Sequence, residues 1–139
     1  MTPSGLLRRL AATAFMGVLL GAVPPLPGSA PQAQLAAPQP AEPYLTAHAL
    51  RHIMTRHGPA STASDASHYA PGTTAATIRG MIAEAIREGH PRPDTNGRSG
   101  TLYDYTFPRP IGTTIDGRPA RQLRVVVAPD GAVITAYPR

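Results

Sequence analysis

Residues 122–139 read QLRVVVAPDGAVITAYPR, and this stretch decides the architecture. Gln122 to Ala128 is rich in β-branched residues. Pro129-Asp130-Gly131 is a tight connection, with Pro at the first turn position and Gly able to take the left-handed one, and Ala132 to Tyr137 returns as a second strand. A three-residue loop pairs Ala128 with Ala132, which predicts Val127, Val125 and Leu123 opposite Val133, Thr135 and Tyr137 on one face. The other face then carries Arg124, Val126, Ala128, Ala132, Ile134 and Ala136. A two-residue turn would shift the pairing by one. Within the last strand, Thr135 and Tyr137 share a face in either register.

Upstream of the hairpin, Leu102 to Phe107 alternates, with Tyr103, Tyr105 and Phe107 on one side and Leu102, Asp104 and Thr106 on the other. Ile111 to Ile115 is a further short strand entering the Asp116-Gly117 turn. Two helices precede the strands. Leu50, Ile53, Met54 and His57 follow the i, i+3, i+4, i+7 stripe of an amphipathic helix ended by Gly58 and Pro59. Residues 60 to 72 have loop composition. Thr73 or Thr74 then offers an N-cap for a second helix, whose inner face is Ile78, Met81, Ile82, Ala85 and Ile86 and which Gly89 and Pro91 stop. The expected fold is α+β: two N-terminal helices packed on one face of a small antiparallel sheet of about four strands.

The residues before this domain read differently. Arg8 and Arg9 precede the apolar run Leu10 to Val23, fourteen residues long, where a membrane span needs about 20. Followed by Gly28-Ser29-Ala30 as a cleavage site, or Ala36-Ala37 because Pro31 disfavours the first, this predicts a secretory signal peptide over residues 1–30 and a secreted, extracellular protein, with an uncleaved signal anchor as the alternative. Residues 31–43 are so rich in Pro, Ala and Gln that they read as a flexible linker, and the domain occupies residues 44–139. The chain has no cysteine, so thiol redox chemistry and disulfide staples are excluded and stability must come from packing. All 13 basic residues are arginine, against 8 acidic ones. That balance suits an anionic partner, and the guanidinium fork suits phosphate oxygens.

Cleavage of RNA by its own 2′-hydroxyl needs a base, an acid and positive charge or hydrogen-bond donors at the phosphate. This chain carries each type. His57, at a helix C-terminus where free carbonyls favour the imidazolium, titrates near neutrality. Arg98 sits in the glycine-flanked loop Asn96-Gly97-Arg98-Ser99-Gly100, and Thr135 and Tyr137 supply hydroxyls. His52 is the alternative histidine. On helical geometry His57 continues the apolar stripe, whereas His52 lies about 200° from Leu50 and faces outward, which favours His57. A metal is the other chemical option: His48 and His52 are spaced as two zinc ligands, and His68 or His90 would have to supply a third. No glutamate accompanies the pair, so the expectation is no metal and no cofactor.

The order of these pieces carries a resemblance. His52-Ile-Met-Thr-Arg-His57-Gly58, a second helix, Gly97-Arg98 ahead of Tyr103-Asp-Tyr105, and a closing Val-Val-Val, Asp-Gly, Val-Ile-Thr135-Ala-Tyr137-Pro hairpin together resemble bacterial toxin ribonucleases of the barnase, EndoU, colicin and RelE superfamily. The likeness is to the endoribonuclease domains at the C-termini of polymorphic and contact-dependent inhibition toxins, and it spans about Leu45 to Pro138. It implies a metal-independent endoribonuclease that yields a cyclic phosphate, with His57 or His52 as the histidine, Arg98 as the basic residue, and Thr135 with Tyr137. Lysine, common in related sites, is absent. It also implies RNA as substrate, an immunity or inhibitor protein as partner, no membrane contact after signal cleavage, and a monomer. A non-catalytic extracellular binding domain of the same fold is the alternative. The site requires His57, Arg98, Thr135 and Tyr137 around one cleft.

Overall fold

In the computed structural model, residues 41–139 are described. The predicted signal peptide and most of the predicted linker lie outside the described residues. The elements run α1 (Ala47–His57), β1 (His68–Tyr69), α2 (Ala75–Glu88), β2 (His90–Pro93), β3 (Thr101–Thr106), β4 (Gly112–Thr113), β5 (Pro119–Ala120), β6 (Gln122–Val127) and β7 (Val133–Pro138). Two helices with antiparallel sheets make the chain α+β. None of the described helices is long and apolar enough to cross a membrane.

Each helix starts where its sequence supplies a cap. The Thr46 hydroxyl accepts from the Ala49 amide at 3.0 Å, and Thr74 accepts from Thr77 at 3.1 Å, each satisfying a donor that the first turn leaves free. From α1, Leu50 and Ile53 are buried; from α2, Ile78, Ile82 and Ala85. These form one core with Leu123, Val125 and Val127 of β6 and Val133 and Ala136 of β7, so both helices cover the same sheet face. Tyr103 and Tyr105 pack against it from β3.

The main sheet has the order β2-β3-β6-β7, all antiparallel. Its fourth strand is β2, not the Ile111–Ile115 segment. Pro91 reads as a helix stop, yet β2 is an exposed edge strand, where Pro91 and Pro93, at alternate positions, can both turn their missing N–H to the unpaired side. Gly112–Thr113 instead builds a second sheet of order β1-β4-β5, so the stretch predicted as loop over 60–72 contains a strand, His68–Tyr69. The small sheet is tied to the large one by Tyr69, buried, whose hydroxyl donates to the Ala136 carbonyl at 3.1 Å. Burial raises the Tyr69 pKa well above its ordinary value, so this donor stays protonated.

The closing hairpin corrects the predicted register. Near the turn it holds: Ala128 donates to Ala132 at 2.8 Å, Gly131 has φ 90°, and Val127 faces Val133. A bulge then leaves Ile134 unpaired, so Thr135 faces Val126, Ala136 faces Val125 and Tyr137 faces Arg124. Thr135 and Tyr137 therefore lie with Arg124 on the face away from the helices, not with Leu123 and Val125 as expected. The physical reason is the content of the strand. With the bulge, Ala136 and Pro138 are buried while Thr135 and Tyr137, as whole residues, stay partly accessible.

Candidate functional site

Tyr137 is the residue on which the site turns. It ends β7, an edge strand of the main sheet, and its ring stacks on the His57 imidazole with centroids 5.3 Å apart and planes 24° apart. His57 closes α1 and is buried. Its Nδ1 lies 2.8 Å from the Ser67 carbonyl. A carbonyl oxygen only accepts, so Nδ1 carries the hydrogen and Nε2 is the nitrogen left to take a proton. Burial lowers the His57 pKa; the Ser67 bond opposes this, and the charges of Arg56, His52 and His68 add to the lowering. The helix end favours the imidazolium, whereas burial acts the other way and lowers the His57 pKa, toward the neutral ring.

His57 and Tyr137 line a depression of about 620 Å³. Asp65 to Ser67, Thr114 to Asp116, Gln122, Pro138 and Arg139 complete it. The turn between β4 and β5 forms one rim, with the Thr114 hydroxyl bonded to the Asp116 carboxylate, and it presents Ile115 with 67% of its surface exposed.

On its other side Tyr137 helps to line a smaller hollow of about 240 Å³, shared with Asp94, Asn96, Arg98, Leu102, Arg124, Val126 and Thr135. Arg98 rides on the β2–β3 connection, closed by the bond from the Asp94 amide to the Gly100 carbonyl at 3.1 Å. Gly100 is required there, because a Cβ would meet the Val127 carbonyl oxygen at 2.4 Å. Arg98 is exposed and makes no ion pair among the described residues. The Thr135 hydroxyl oxygen is buried and has no hydrogen-bond partner among them.

Arg124 and Asp104, cross-strand partners on β6 and β3, were missed by sequence reasoning. The Arg124 guanidinium bonds both carboxylate oxygens of Asp104, at 2.7 and 2.8 Å, and Arg92 from β2 adds a third bond at 3.1 Å. Burial pushes the Asp104 carboxyl up, but the bonds and charges of Arg124 and Arg92 outweigh it and hold the pKa below its ordinary value. Arg124 is held cationic by Asp104 first, and Tyr137 contributes in the same direction. The available signal was a lone charge in each of two strands otherwise built for a sheet.

The expected residues thus meet in two groups rather than around one cleft. His57 joins Tyr137 in the larger depression; Arg98 and Thr135 join Tyr137 in the smaller one; only Tyr137 belongs to both. His52 belongs to neither, lining a separate depression with Thr46, His48, Ala49 and Ala132 to Ile134. The described residues contain no group of three or more His, Asp or Glu side chains placed to hold a metal ion. Comparison with family models, curated proteins and solved structures gives no match.

Proposed function

We propose that the chain is a secreted, metal-independent endoribonuclease of the toxin type, cutting single-stranded RNA by attack of the 2′-hydroxyl. One observation carries this reading: a buried histidine, its Nδ1 held by the Ser67 carbonyl, is stacked on a tyrosine at the meeting point of two depressions. In the reaction, His57 Nε2 takes the 2′-hydroxyl proton as the 2′-oxygen bonds to phosphorus. The bond from phosphorus to the 5′-oxygen breaks, the Tyr137 hydroxyl donates toward that leaving oxygen, and a 2′,3′-cyclic phosphate remains. Arg124, oriented by Asp104, and Arg98 with Thr135 hold the phosphate backbone on the far side of Tyr137. An immunity or inhibitor protein would be the partner, and the catalyst acts as a monomer.

The test is turnover of labelled RNA by the purified protein in EDTA. Cleavage should proceed to a cyclic phosphate end, and His57→Ala should lower kcat by about 10²–10⁴, the usual contribution of one acid–base group. Absence of cleavage, or cleavage indifferent to His57→Ala, removes the reading. Loss with His52→Ala alone moves the histidine to His52.

A further inference from the structure

We infer that the hollow between Arg98 and β7 is a subsite for a phosphate flanking the scissile one, which makes the substrate an oligonucleotide rather than an isolated dinucleotide. This rests on the ribonuclease reading and gives Arg98 and Thr135 a different task from the scissile phosphate. His57 does not line this hollow, and neither Arg98 nor Thr135 lines the depression that holds His57. The scissile phosphate belongs beside His57, and the one seated between Arg98 and Thr135 is its neighbour along the strand. Tyr137, the wall common to both, is where a strand passes from one to the other.

The hollow has the chemistry of an anion site. Asp104 accepts from both Nε and Nη2 of Arg124, which fixes the orientation of this cation in the lining of the hollow. Arg98 supplies a second cation with no carboxylate partner among the described residues. Thr135 Oγ1 is buried and unpartnered, a state that costs free energy until an acceptor or donor arrives. Asp94 is the opposing charge in the lining, and its Oδ1 is engaged by the Asn96 amide at 3.0 Å. The larger depression is lined by Asp65, Asp116, Thr114 and Gln122, with Arg139 as its one arginine.

The experiment uses 2′-deoxy dinucleotides, which lack the attacking hydroxyl and report binding without turnover, each with and without one terminal phosphate at the 5′ or the 3′ end. At fixed salt, the full chain should bind one of the phosphorylated forms about tenfold more tightly than the unphosphorylated one, as expected for charge-assisted bonds. Arg98→Ala should bring that ratio close to one, and Thr135→Val should reduce it less. Arg79→Ala, on an exposed position of α2, should leave it unchanged. A ratio near one in the wild type at both ends, a ratio that Arg98→Ala does not alter, or no measurable binding of any probe overturns the subsite. The two readings fail separately. RNA cleavage with no phosphate effect removes the subsite and keeps the nuclease, whereas an Arg98-dependent phosphate effect without cleavage does the reverse.

Discussion

The two depressions that meet at Tyr137 are built on opposite principles. On the histidine side, a titratable ring is buried, which lowers its pKa, and makes one bond to a backbone carbonyl. On the arginine side, Arg124 is held cationic by the Asp104 carboxylate, which Arg92 also bonds, and Arg98 shares the hollow with it. Desolvation disfavours a charge that has no partner, and a bidentate partner restores it. The same sheet edge therefore offers a proton acceptor on one side and fixed positive charge on the other.

The largest break in that contrast comes from removing the lock. Asp104 and Arg124 have side chains only 15% and 11% exposed, so Asp104→Ala leaves a nearly buried guanidinium without its carboxylate. We expect a loss of about 2–3 kcal/mol in urea denaturation, somewhat under the range for fully buried pairs because Arg92 and solvent reach the site. Asp104→Asn, which keeps one acceptor, should cost less. The NMR titration of His57 should not move in either variant. An unchanged denaturation midpoint would mean that the pair behaves as an ordinary surface ion pair.

Acid separates the two sides by pH. The His57 pKa is lowered on folding, so between its folded value and the unfolded value near 6.5 the native chain binds fewer protons than the unfolded one. Stability from this group is then complete above about pH 6.5 and declines as pH falls toward the folded value, by at most about 1.4 kcal/mol per pH unit for a single proton. His57→Gln should flatten that slope. The Asp104 carboxyl is depressed, so its contribution is present above about pH 4 and is lost only as pH drops through its folded value. Denaturation midpoints measured across both windows, in wild type and in His57→Gln, check the assignment; a slope near pH 6 that survives the substitution contradicts it.

Much of this was legible in the residues. The stripes Leu50-Ile53-His57 and Ile78-Ile82-Ala85 gave both helices, because period 3.6 needs no knowledge of what covers it. The hairpin turn at Pro129-Asp130-Gly131 was fixed by local chemistry. What failed depends on contacts distant in sequence. A two-residue strand such as His68–Tyr69 has no periodicity to detect, and Pro91 and Pro93 forbid an interior strand while permitting the edge that β2 occupies. Arg124 takes its meaning from Asp104, twenty residues away. The His57 environment was misjudged because helix position was visible in the sequence and burial beside Ser67 was not.

The bulge at Ile134 offers the finest test, because it decides which side of the sheet carries the site. In the observed register Val133 faces Val127 and Thr135 faces Val126, so Ile134 is a surplus residue, 37% exposed. Deleting Ile134 should let the ladder run uninterrupted while Thr135, Ala136 and Tyr137 keep their partners. The expected change in stability is within about 1 kcal/mol, since some apolar burial is lost and a ladder irregularity is removed. Had β7 paired without a bulge, with Thr135 opposite Val125 and Ala136 opposite Arg124, the same deletion would turn Thr135 and Tyr137 away from the helix face and force Ala136 from the outer face to the inner one, because a one-residue slip reverses every side chain beyond it. A large loss of stability, together with loss of the ring-current shift that the stacked Tyr137 imposes on His57, would show that the regular register is the true one. A near-neutral deletion with that shift preserved would fix Thr135 and Tyr137 on the arginine face and leave Tyr137 as the single link between the two depressions.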